Sequence, residues 1–203
     1  VVAVLDTGLD YYHTAFSTDN FTSDTLGMTF EDVEKFIGDT VASDKQSGLT
    51  ASDVYISTKV PYGFDYADGD ADVFPIQSDH GTHVAGVIAG KDDVITGVAP
   101  NAQLAIMKIF SDIVDTARTS WILAALEDCV VLEVDVINMS IGTSAGFSRE
   151  NDKEQITGVY DRIRALGISM VVAASNSFTS TYGSEKNGNL GLTSNPDNGT
   201  VGS

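Results

Sequence analysis

Two imidazoles three positions apart, His80 and His83, stand at the mouth of an apolar run, Val84-Ala85-Gly86-Val87-Ile88-Ala89-Gly90. Helical spacing puts both rings on one face. A ring in the first turn of a helix can exchange protons near neutral pH, form half of a metal site, or belong to a hydrogen-bonded structural pair. Val84, Val87 and Ile88 recur with a helical period, and Gly81, Gly86 and Gly90 allow another element to approach closely. The reading is a helix buried at its far end, with His80 at the edge of a pocket.

A carboxylate is available to such a base at the start of the chain. Val1-Val2-Ala3-Val4-Leu5 is unbroken apolar sequence, followed by Asp6-Thr7-Gly8. The run fits a strand buried on both faces, and the carboxyl end of such a strand is where open α/β sheets place catalytic groups. Asp6 then has two roles open to it, an Asx-turn at the strand end or a buried acceptor for an imidazole N–H.

The elements that must position these groups follow in order. Residues 11–76 are polar and irregular, with Asn20 to Asp24 and Ser43 to Gly48 as turn clusters. Thr29 and Asp32 form a capping-box pattern, predicting a helix from about Phe30 to Ile37. Lys59 to Tyr66 alternates like a strand, and the carboxylates Asp65, Asp68, Asp70 and Asp72 follow. They invite a calcium reading, against which stands the simpler one of a solvated acidic turn. Strands are expected at Gln103–Phe110, Val134–Ser140 and Ile168–Ala174. Helices are expected from a cap at Thr119 or Ser120 to about Val130, and from Asn151 to Leu166 with Gly167 as the stop. Alternating strands and helices with right-handed crossovers predict an α/β fold, a mostly parallel sheet with helices on both faces. Residues 177–203 read as loop with a short strand near Leu190.

Composition bounds the function. The 203 residues carry 29 acidic and 11 basic side chains, a formal charge of −18, so a nucleic-acid partner is not expected. No apolar run reaches the roughly 18 residues that span a bilayer, so direct membrane insertion of this segment is not expected either. The lone Cys129 falls in a helical apolar pattern with Trp121, Ile122, Ala125 and Leu126, which predicts burial.

Asp6 before His80, within VAVLDTGLD from Val2 and HGTHVAGVIAG from His80, together with GVAPNAQL from Gly97, DVINMSIG from Asp135 and VVAASN from Val171, resembles the subtilase serine peptidases. Five motifs in family order cover nearly the whole chain. The long segment between Asp6 and His80 is most similar to the large cell-envelope members of the lactocepin kind. The resemblance implies the three-layer subtilisin-like fold, with an irregular insertion at about 17–76, and secretion or attachment to the cell envelope. It implies protein or peptide substrates and no required cofactor. His80 matches the general base, Asp6 its carboxylate partner, His83 a structural partner, and Asn176 the side-chain oxyanion donor. Ser140, Ile141 and Gly142 match the segment that pairs with extended substrate, and Ala174 and Ser175 match a wall of the primary pocket. The 91–96 loop often holds calcium in the family, but here it is shorter than in the subtilisins, so a structural calcium stays open.

Two departures stand out. Ser175 replaces the usual glycine before the oxyanion asparagine, and the nucleophile motif, Gly-Thr-Ser followed by Met-Ala and a proline, does not occur after Asn176. Gly142-Thr143-Ser144 imitates it but follows the substrate-pairing strand and lacks the continuation. The chain is therefore expected to be the N-terminal part of a catalytic domain, with the serine in the remainder of the same precursor. Two functions remain: a serine endopeptidase, or a catalytically silent subtilase-like module that binds peptide or regulates a partner. A dinucleotide-binding protein is disfavoured, because Asp6-Thr7-Gly8-Leu9-Asp10 is no glycine-rich phosphate loop.

Overall fold

The computed structural model describes residues 1–22, 26–114, 116–142 and 150–173, with backbone alone for 150–157. The chain divides into two compact units, Val1–Ile137 and Asn138–Ser203.

The first unit is built on β1 (Val2–Asp6), which pairs in parallel with β3 (Leu104–Lys108); β3 pairs in parallel with β2 (Tyr62–Asp65). The β-branched and apolar residues of β1 and β3 are buried on both faces, as a parallel strand between two neighbours requires. Register places Asp6 beside Lys108 and Lys108 beside Asp65, so three ionisable residues form a row across the carboxyl ends of three strands. That edge carries the chemistry of this fold class. At the other end of β1, the amides of Asp135 and Val136 donate to the Val1 carbonyl and bring in β4 (Val136–Met139).

α4 (His80–Ala89) lies against β1, and its buried face is made of Gly81, Ala85, Gly86 and Ala89. Small side chains there let helix and strand approach closely. Val87, expected on the buried stripe, is 56% exposed. Beneath the helix, Val4, Leu9, Phe16, Val60, Leu104 and Ile106 form the core with Ala85 and Ala89, each large side chain contributing about 1.5–3 kcal/mol by leaving water.

The polar insertion is more ordered than its composition suggested. α1 (Phe30–Phe36) has the expected capping box, Thr29 and Asp32 each satisfying the other's amide. Two short helices were not expected, α2 (Val41–Lys45) and α3 (Ala51–Val54). Thr40 caps α2 and Thr50 with Asp53 forms a second capping box, so the Ser43–Gly48 cluster is a helix end followed by a turn. α2 packs on α5 (Thr119–Val131) through Asp128, whose carboxylate accepts the Val41 and Ala42 amides and the Tyr66 hydroxyl, the last at 2.7 Å. Cys129 is buried as expected. Arg118, not Thr119 or Ser120, occupies the N-cap of α5 and makes no side-chain cap bond.

In the second unit, α6 (Glu150–Ala165) ends at Gly167, whose φ of +78° is the left-handed stop predicted for it. β5 (Ser169–Val172) follows, and the Ala173 amide donates to Met139 at the end of β4. The strand expected near Leu190 lies outside the described residues.

Candidate active site

β1 delivers Asp6 to the carboxyl edge of the sheet with 1% of its surface exposed. α4 delivers His80 from its first turn, and Nδ1 of the ring lies 2.7 Å from Asp6 Oδ1. Their side-chain exposures, 50% for His80 and 1% for Asp6, divide the labour: the carboxylate is sealed in while the ring reaches solvent. An Nδ1–H donating to a carboxylate leaves Nε2 as the unprotonated acceptor, the tautomer a general base needs.

Thr7 locks this pair. Its amide donates to Asp6 Oδ1 at 2.8 Å, its hydroxyl donates to the Ser78 carbonyl, and the same oxygen accepts the Gly81 amide at 2.9 Å. One residue thus holds Asp6 and both sides of the turn that carries His80. Asp6 Oδ2 is buried and accepts no hydrogen bond among the described residues. Asp10 contributes a second tie to α4, its amide donating to Thr82 Oγ1.

The carboxylates expected to gather behind β2 are arranged differently. Asp70 and Asp72 accept local amides, from Asp72 and Phe74 respectively. Asp65 and Asp68 converge instead with Asp112, their oxygens within 4.8 Å of one another. The buried Lys108 ammonium lies 2.9 Å from Asp65 and also bonds Asp112, so a positive charge among these carboxylates comes from the chain itself. Burial pushes the Asp65 carboxyl up. It also opposes the Lys108 charge, but hydrogen bonds to Asp112 and Asp65 outweigh it and raise that ammonium. Sequence reading missed Lys108 and Asp112 because neither belongs to a motif; the signal was a lysine ending an apolar strand, where a charge needs a partner.

Ser140 lies just beyond β4, its hydroxyl accepting from Asn138 Nδ2 at 3.0 Å. Ile141 and Gly142 continue from it without regular secondary structure. Ser144, Ala174, Ser175 and Asn176 lie outside the described residues.

A family model described as the subtilase family, Peptidase_S8, matches residues 1–198. The chain belongs to the subtilase family. Among the relatives of this subtilase chain, the PI-type proteinase of Lactococcus lactis subsp. cremoris is 35% identical over 195 residues, covering 91% of the chain and 10% of the relative. The PII-type proteinase of Lacticaseibacillus paracasei is 36% identical over 215 residues, covering 100% and 10%. The C5a peptidase of Streptococcus pyogenes serotype M18 (strain MGAS8232) is 33% identical over 212 residues, covering 100% and 17%. The chain therefore spans from about a tenth to about a sixth of the length of these relatives. Among solved structures, the self-cleaved protease domain of PatA superposes with a TM-score of 0.52 at 21% identity, covering 87% of the chain and 49% of that domain. The epidermin leader peptide processing serine protease of Staphylococcus aureus superposes at 0.56 and 16% identity, covering 87% and 37%. These likenesses show the fold, a mostly parallel subtilisin-like α/β architecture.

Proposed function

We propose that the protein is a serine endopeptidase that cuts proteins or peptides through an acyl-enzyme, and that this chain supplies the Asp6–His80 pair and the oxyanion donor Asn176. The observation that carries the reading is the 2.7 Å contact between His80 Nδ1 and Asp6 Oδ1, with the acid buried and the ring half open. In this scheme His80 Nε2 takes the proton of a serine hydroxyl as the oxygen attacks the scissile carbonyl. Asp6 stabilises the imidazolium, and the same proton passes to the leaving amine as the C–N bond breaks. Water then repeats the sequence and releases the acid.

The serine comes, in this proposal, from the remainder of the same polypeptide, since residues 1–203 lack the nucleophile motif and the relatives are several times longer. Ser140, Ile141 and Gly142 pair with substrate, and Ala174 and Ser175 line the pocket for the residue before the cut. Secretion or attachment to the cell envelope agrees with such substrates.

The test is labelling of the complete protein with an acyl-directed phosphonate, read by mass spectrometry alongside hydrolysis of a quenched peptide. Labelling at one serine, abolished in His80→Ala, is the expected result. A folded, mature protein that neither labels nor cuts is the silent binding module instead. Residues 1–203 alone should neither label nor cut; activity there that vanishes in Ser144→Ala would make Ser144 the nucleophile.

A further inference from the structure

Beside His80 lies a cavity of about 580 Å³, within the range of small-molecule sites. Thr82 and His83 from α4 line it, so it opens one helical turn from the proposed base. Its wall is apolar, formed by Phe16, Val87, Ile95 and Val98, of which Val87 is 56% and Val98 89% exposed. Two carboxylates, Asp10 and Asp79, share the lining, and no lysine or arginine is among the described residues that do.

Asp79 is placed unusually. It holds the N-cap position of α4, where a carboxylate normally accepts an amide of the first turn, but its side chain makes no cap bond. His80 N is taken by the Ser78 hydroxyl and Gly81 N by Thr7. Thr7 thus serves the Gly81 amide, one of the two that Asp79 could have capped, and the Asp79 carboxylate, which makes no cap bond, lines the cavity. Asp10 spends Oδ1 on the Tyr12 amide and is held to α4 through Thr82. His13 turns Nδ1 to the Ala15 amide, which it accepts.

An exposed apolar wall with two carboxylates, and with no lysine or arginine among its described residues, fits a ligand group that has an apolar stem and a cationic tip. We propose that this cavity is a subsite for an arginine or lysine side chain of the bound peptide, with Asp79 and Asp10 receiving the cation and Val87, Ile95 and Val98 the stem. The inference rests on the peptidase reading for its substrate, and it adds a charge preference that the Asp6–His80 pair does not confer. The chain's formal charge of −18 acts in the same direction, drawing basic segments toward the site.

The experiment uses the complete protein and peptides in which one arginine, its uncharged isostere citrulline, or a glutamate is moved through the positions flanking the cut. At one position arginine should be preferred roughly tenfold in kcat/KM. Asp79→Asn should bring that ratio toward one, and Asp79→Lys should invert it so that glutamate is preferred there, a gain that an unfolded variant cannot show. The same peptides, fluorescently labelled, are bound to the His80→Ala protein. An arginine preference in binding without hydrolysis in the parent protein removes the peptidase reading and keeps the subsite. Hydrolysis with no arginine preference at any position, or a preference that Asp79→Lys leaves in place, overturns the subsite.

Discussion

Gly81 of α4 rests directly on Gly8 of the turn after β1: a Cβ at Gly81 would come within 2.3 Å of the Gly8 carbonyl oxygen and 3.1 Å of Asp6 Cβ. Gly8 itself sits at φ +109°, and a Cβ there would meet the Val73 carbonyl at 2.3 Å. The two glycines are the contact that lets a helix come close enough to a strand end for His80 to reach Asp6.

Gly81→Ala should therefore move α4 away from β1. Backbone, not a flexible side chain, stands in the way, so the expected cost is about 1–3 kcal/mol of stability from overpacking. In the proposed peptidase, displacing His80 by about 1 Å should lower kcat by roughly a hundredfold. Urea titration and peptide kinetics measure the two effects. An alanine variant with unchanged kcat would show that the Asp6–His80 geometry does not depend on this contact.

Lys108→Met should leave Asp65 buried with no cation beside it. Breaking a buried pair from one side costs about 3–5 kcal/mol, and burial already pushes the Asp65 carboxyl up. The loss should shrink at acid pH, where the carboxyl is protonated, and in Lys108→Met/Asp65→Asn, where the charge is gone. A double-mutant cycle by denaturant unfolding reads this coupling; additive costs would remove the pair from the stability of the sheet edge.

Asp128 gives the fold a pH dependence of its own. Burial raises its carboxyl to about 6, against about 3.9 in an unfolded chain. The folded state holds the proton more tightly, so this contribution is fully present below pH about 4 and is lost as pH rises through about 6, by an amount on the order of 2–3 kcal/mol. Wild-type stability minus that of Asp128→Asn, followed by thermal unfolding across this window, should fall as pH rises. A flat difference would mean that the Tyr66 hydroxyl and the Val41 and Ala42 amides offset the burial completely.

What the sequence determined alone was local or motif-borne. The apolar run of β1, the capping box at Thr29 and Asp32, the left-handed stop at Gly167 and the start of α4 at His80 all express short-range preferences that survive in the folded chain. The pairing of Asp6 with His80 was legible because family motifs mark both, though 74 positions separate them. Tertiary structure decided the rest. Hydrophobic period alone put Val87 on the inner face of α4, whereas the strand selected the face of Gly81, Ala85 and Ala89, since only small residues permit the close approach. The order of the insertion depended on a partner far away, Asp128, which accepts the first amides of a helix too short to be stable by itself. Lys108 took its place beside Asp65 because parallel register brings those two strand ends together, whereas Asp112 reaches it from only four positions further along the chain. The pairings of Asp65 with Lys108 and of Asp128 with α2 are long-range, carry no local periodicity, and only the folded backbone creates them.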